Sequence, residues 1–218
     1  MAPRFVDPSP PGEVTVVVLA GGESRRFGSD KLGALLAGTT VLDRLVDALP
    51  ATWRVVLVGP RRDLTRAAVE WVREEPPGGG PSAGILAGSA CSTTDMTVVV
   101  AGDMPYAAAA LPVLVKALAE AGEDVQAAVG VDDDGHANPL LAAYRTAALR
   151  QALPEPAHGT PAKRLLAMGH VTVPIGGRIS RDVDTPGDLQ AFTSGPLVDR
   201  PVDPPVDPPA GAPAGSSG

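Results

Sequence analysis

Residues 19–31 read LAGGESRRFGSDK, and the side chains crowded there could grip a polyanion. Gly21 and Gly22 let the backbone approach phosphate oxygens closely, with N–H groups turned into one concavity. Arg25 and Arg26 offer planar forks, and Lys31, one of three lysines in the chain, offers a compact point charge. A solvated connection with scattered charge is the plainer reading of the same letters. The stretch is neither a Gly-Lys-Ser/Thr phosphate loop nor a G-x-G-x-x-G turn, so no standard nucleotide template applies.

Two further stretches carry carboxylates. MTVVVAGDMP, residues 96–105, is a valine-rich run ending in Gly-Asp, which sets Asp103 at a strand end as a ligand for a hard cation on a substrate phosphate, or as a turn cap before Pro105. In RDVDTPGDL, residues 181–189, Asp182 and Asp184 are two apart and share a face if the segment is extended. They either complete a metal site or serve as helix caps, with Asp188 the better cap. GGGPSAG, residues 78–84, is a loop entering a helix, open to a sugar or base or simply a connection. Asp132–Gly135 departs from the calcium-loop spacing and reads as a turn before the apolar NPLLAAY segment. His136, His158 and His170 lack ligand spacing, and neither a G-x-S-x-G elbow nor a cationic neighbour for Cys91 occurs. Covalent catalysis drops out, and a direct in-line displacement at phosphorus is left.

The elements that must hold these residues alternate. Strand-like runs at 14–19, 54–58, 97–101, 125–131 and 171–174 are separated by helical candidates at 41–49, 82–89, 109–119, 146–153 and 161–168. Thr40 with Asp43, and Thr185 with Asp188 around Pro186, fit capping boxes, and Thr160 before Pro161 fits an N-cap. The pattern predicts an α/β fold, a mostly parallel sheet with helices on both faces and its ligand at the carboxyl ends of the strands. The expected organisation is a flexible lead-in over 1–12, one domain over 13–194, and a Pro-rich disordered tail over 195–218 with its VDRP/VDPP/VDPP pattern. A formal charge of −7 argues against a nucleic-acid binder, so any phosphate site is local. One cysteine and no long apolar run point to a soluble protein of the cytoplasm with no membrane partner.

Taken in order, LAGGESRRFGSDK, GGGPSAG, AGDMP, NPLLAAYR and DVDTPGDL resemble the MobA-like nucleotidyltransferases over about residues 14–192. The resemblance implies a Rossmann-like sheet of the glycosyltransferase-A type binding a nucleoside triphosphate with Mg²⁺. It assigns nucleotide contacts to Leu19, Ala20, Gly21 and Gly22, and to Gly80, Pro81 and Gly84 of the second glycine loop. Lys31 and Arg25 would act on the phosphates and Asp103 on the metal, with Asp184 a second metal contact or an acceptor-side one. Asn138 and Asp182 fall on the acceptor side. The implied reaction moves GMP from GTP onto the phosphate of molybdopterin carrying molybdenum and releases pyrophosphate, within molybdenum cofactor biosynthesis. The chain departs from the family at Val58-Gly59-Pro60, where an asparagine is usual, at Glu75 or Pro77, where an aspartate is, and at Asp182-Val183-Asp184, where Asn-x-Asn is. The alternatives are a molybdopterin cytidylyltransferase, an enzyme of a sugar phosphate or phospholactate, and a non-catalytic nucleotide- or pterin-binding scaffold whose tail recruits a molybdoenzyme.

Overall fold

The structure, a computed structural model, describes residues 14–22 and 27–194. The expectations for the lead-in 1–12, for Arg25 and Arg26, and for the tail 195–218 lie outside the described residues.

The chain runs β1 (Val14–Leu19), β2 (Leu35–Leu36), β3 (Thr39–Thr40), α1 (Val41–Asp47), β4 (Arg54–Val58), β5 (Glu70–Val72), α2 (Pro81–Ala90) and β6 (Met96–Ala101). It continues through α3 (Leu111–Glu120), β7 (Ala127–Val131), β8 (Ala137–Arg145), α4 (Thr146–Ala152), β9 (His170–Pro174) and α5 (Pro186–Ser194). Seven strands form one sheet in the order β5-β4-β1-β6-β8-β7-β9. β5, β4, β1 and β6 pair in parallel, as do β7 and β9, while β8 runs antiparallel to both β6 and β7. The carboxyl ends of β1, β4, β6, β7 and β9 therefore share one edge, and the loops with the chemistry-bearing residues leave from it.

The valine runs are buried on both faces, and alternate residues go to opposite sides. Val16, Val18, Val98 and Val100 pack with Leu42 and Leu45 of α1 and Leu111, Leu114 and Leu118 of α3. On the other face Val99 packs with Ile85 of α2, Leu149 of α4 and Tyr144. Among the least yielding contacts is that of α2 with β1: a Cβ on Gly88 would meet Val17 Cγ1 and lie 2.9 Å from Val58 Cγ2. Only a helix bare at that position can lie so close and aim its N-terminus along the sheet's carboxyl edge.

The Thr40 capping box forms as expected. Thr40 Oγ1 accepts from the Asp43 N–H at 3.0 Å and donates to Asp43 Oδ2 at 2.6 Å, while Asp43 Oδ1 accepts from Thr65 N–H. Thr40→Ala is expected to cost about 1 kcal/mol of stability in urea unfolding, with no change in the nucleotide site.

Two expectations are corrected. The segment read only as apolar, NPLLAAY, is the core of β8, a strand sandwiched between two others and so lacking any alternation to reveal it. Pro139 is tolerated because the register slips opposite it, between Val129 and Gly130. The helix expected over 161–168 is a 3₁₀ turn at Ala162–Ala167, and Pro161, not Thr160, stands at its N-cap position with no side-chain hydrogen bond. So short a segment does not repay the nucleation of an α-helix. Cys91 is half-buried at the end of α2.

Candidate active site at the carboxyl edge of the sheet

β1, β4 and β6 end side by side, and their loops cross at close quarters. The Ala20 N–H donates to Val58 O at 2.8 Å, and the Gly102 N–H donates to Leu19 O at 2.9 Å. A Cβ on Gly102 would lie 2.9 Å from Leu19 O, and one on Gly59, whose φ is +142°, would lie 2.7 Å from the Ala20 carbonyl carbon. Glycine is required at 59 for both conformation and space.

Above this floor opens a cleft of about 480 Å³. Leu19, Gly21, Gly22, Lys31 and Asp103 border it on the side of β1 and β6. Gly80, Pro81 and Gly84 border it at the N-terminus of α2, where Gly80 takes φ +84° as the N-cap and Pro81 fills the first helical position. The amide-rich end of a ten-residue helix thus faces the same space as a glycine pair and a lysine, an arrangement suited to phosphate oxygens. Gly84 has a packing role as well, since a Cβ there would lie 3.2 Å from Leu19 Cδ2. Ala20 departs from expectation: it is 0% exposed in the core and its N–H is taken by Val58, so it supports the floor without lining it.

The charged centre of the site comes from three separate stretches of chain. Lys31 Nζ lies 2.5 Å from Asp103 Oδ2 and 3.1 Å from Asp184 Oδ1. Carboxylate oxygens of Asp103, Asp182 and Asp184 lie within 4.8 Å of one another. The strap 182–184 is fastened to the β6 loop by the Val183 N–H, which donates to Asp103 O at 2.9 Å. Val183 itself is 0% exposed, packed with Leu36 and Val41, so its two aspartate neighbours are turned toward Asp103. Capping, the other reading of this pair, falls to Thr185 and Asp188. Asp188 Oδ2 accepts from the N–H groups of Asp184 at 2.9 Å and Thr185 at 2.6 Å and so fixes the strap. Asp188→Ala is expected to loosen that strap and raise the KM for triphosphate, at a cost of about 1 kcal/mol in stability.

Electrostatics reflect the crowding of these carboxylates. Burial, then the charges of Asp103 and Asp184, hold the Asp182 carboxyl above the ordinary carboxylate value. Burial alone would lower Lys31, but its hydrogen bonds and attraction to Asp103 and Asp184 outweigh this and raise it. Among the described residues, Asp103 Oδ1 is buried without a hydrogen-bond partner. Three crowded carboxylates, one with a buried oxygen unpaired among those residues, fit a divalent cation such as Mg²⁺.

Asn138 sits beside this centre and not on the cleft. Its Nδ2 approaches Met104 Sδ at 3.9 Å, next to Asp103, and its Oδ1 accepts from the Leu140 N–H. The Asp132–Gly135 segment is a turn, as expected, with Asp132 Oδ1 accepting from the N–H groups of Asp134 and His136. At the departure near residue 75, neither Glu75 nor Pro77 lines the cleft. Glu74 does, and its Oε1 is held by the Gly78 N–H at 3.0 Å. The doubled glutamate ahead of the glycine loop was the available signal, and only the pitch of the turn selects the first. Two arginine contacts had no sequence signal at all: Arg62 pairs with Asp30, and the Arg178 guanidinium lies 4.4 Å from the Tyr106 ring.

Relatives carry the same architecture. A protein of Natronomonas pharaonis named "probable molybdenum cofactor guanylyltransferase" is 32% identical over 198 residues, 82% of this chain and 96% of its own length. A second of that name in Chloroflexus aggregans is 32% identical over 166 residues, covering 70% of this chain and 71% of its own. The crystal structure of molybdopterin-guanine dinucleotide biosynthesis protein A from Archaeoglobus fulgidus superposes with a TM-score of 0.62 at 27% identity, covering 82% of this chain and 96% of that one. Residues 16–173 match the family model described as the MobA-like NTP transferase domain, and the chain belongs to that family of nucleotidyltransferases.

Proposed function

We propose that the chain moves GMP from GTP onto the phosphate of molybdopterin carrying molybdenum, releasing pyrophosphate. The observation that carries this reading is the convergence of Lys31, Asp103, Asp182 and Asp184 at one end of a cleft edged by Gly21, Gly22 and the N-terminus of α2. The triphosphate lies along that edge, its oxygens accepting from the Gly21 and Gly22 amides, the first turn of α2 and the Lys31 ammonium. An acceptor phosphate oxygen attacks the α-phosphorus in line, the bond to the bridging oxygen breaks, and the electron pair leaves with pyrophosphate. The acceptor is already anionic, so no general base is needed. Asp103, Asp182 and Asp184 would hold Mg²⁺, which supplies neutralising charge to the phosphates when bound. Asn138, against the Asp103 loop, belongs to the acceptor side in this reading. The single half-buried cysteine is consistent with work in a reducing cytoplasm.

Glu74 supports guanine over cytosine. A carboxylate in the cleft wall can accept from both the N1–H and the exocyclic amine of guanine, whereas the edge of cytosine offers one donor, its exocyclic amine, beside the N3 acceptor. Glu74→Gln is expected to lower kcat/KM for GTP about tenfold and change that for CTP little. The reading as a whole is checked by incubating the full chain with GTP, Mg²⁺ and molybdenum-loaded molybdopterin and looking for the joined dinucleotide by mass spectrometry. Absence of that product, or its formation from CTP at equal rate, overturns the reading.

A further inference from the structure

The lysine expected to meet phosphate is seated among the carboxylates of Asp103 and Asp184. We propose that Lys31 is a lock on the metal site: its ammonium is a resident counter-ion of Asp103 and Asp184, so the protein takes up a divalent cation there only together with a nucleoside triphosphate. This deepens the reading above and rests on it for the assignment of Asp103, Asp182 and Asp184 to the cation.

Three observations carry the lock. The ammonium is in contact with two of the three carboxylates, at 2.5 Å from Asp103 and 3.1 Å from Asp184. Its side chain is only 16% exposed, so water is a poor substitute partner and the lysine leaves only for another anion. The three carboxylates lie within 4.8 Å of one another, and a dication bridging Asp103 and Asp184 would sit beside the ammonium that contacts both. Two cations in contact in a partly buried site repel strongly, and whichever arrives first excludes the other. Lys31 also borders the cleft, on the side of Gly21 and Gly22. Its flexible stem and three donors let it swing to incoming phosphate oxygens without losing a partner. The triphosphate thus does two things in one event: it draws the ammonium off the aspartates and brings in the negative charge that makes a dication welcome. Binding of cation and nucleotide is then mutually reinforcing, because coupling between two sites is reciprocal.

The test needs no turnover. Binding of Mn²⁺ alone to the full chain, without nucleotide, is measured by electron paramagnetic resonance for the unaltered protein and for Lys31→Met. The variant is expected to bind Mn²⁺ about tenfold or more tightly than the unaltered chain. Adding Asp103→Asn to Lys31→Met is expected to abolish the gain, which locates the ion in the cluster. Lys31→Gln replaces the methionine variant if circular dichroism shows the latter unfolded. Equal affinity in the unaltered and lysine-substituted proteins overturns the lock, as does a substituted protein that binds no Mn²⁺. Either result leaves the transfer reaction to be judged separately by its dinucleotide product.

Discussion

Asp103→Asn is expected to lower kcat by about a thousandfold while the protein stays folded. The change is nearly isosteric, so the backbone bond from Val183 N–H to Asp103 O, 2.9 Å, is untouched and the 182–184 strap keeps its place. What is lost is charge at the point where three stretches of chain meet. Oδ2 lies 2.5 Å from the Lys31 ammonium, and Oδ1 is buried with no hydrogen-bond partner among the described residues. An amide offers one acceptor where the carboxylate offered two, and its NH₂ turned toward Lys31 or a cation is repulsive. Asp184 and Asp182 remain, which is why affinity for triphosphate should fall less than turnover. Pyrophosphate release gives kcat and KM, and a thermal melt within a few degrees of the unaltered protein separates chemistry from folding. Turnover at the original rate would remove Asp103 from the machinery.

Gly59→Ala is expected to cost about 3 kcal/mol of stability. At φ +142° an L side chain is strained before it meets anything, and the added Cβ would then lie 2.7 Å from Ala20 C, 2.8 Å from Ala20 O and 2.8 Å from Gly21 N. These are backbone atoms of the loop that carries the glycine pair, so relief requires moving that loop away from β4. The Ala20 N–H to Val58 O bond, 2.8 Å, is the first to open. Stability and triphosphate affinity should therefore fall together, the former read by urea unfolding and the latter by nucleotide-induced thermal shift. A stable variant with unchanged affinity would mean that the β1 and β4 loops are not mechanically joined.

How far the sequence speaks differs by element. β1, β4 and β6 are legible because continuous β-branched runs bounded by turn residues have few other uses, and their order with the helices implies a parallel sheet. Asp103 is legible as a candidate for the same reason, since Gly-Asp directly after such a run must fall on the carboxyl edge. β8 was hidden by its own burial: small apolar residues with a proline among them look like neither a strand nor a helix until β6 and β7 flank them. Asp182 and Asp184 were ambiguous because capping and metal binding use the same side chain. Only the burial of Val183 and the Thr185 and Asp188 box decide which way the pair turns. The contact of Lys31 with Asp103 and Asp184 joins residues from three loops, and no local pattern encodes it.

Stoichiometry tests the proposed transfer most directly. Pyrophosphate released and molybdenum-loaded molybdopterin consumed are counted together for GTP, CTP and ATP, each with Mg²⁺, using the full chain. The expected result is one pyrophosphate for each acceptor consumed with GTP, and release from GTP only when acceptor is present. Release from GTP without acceptor, or no release with acceptor and any of the three nucleotides, would contradict it.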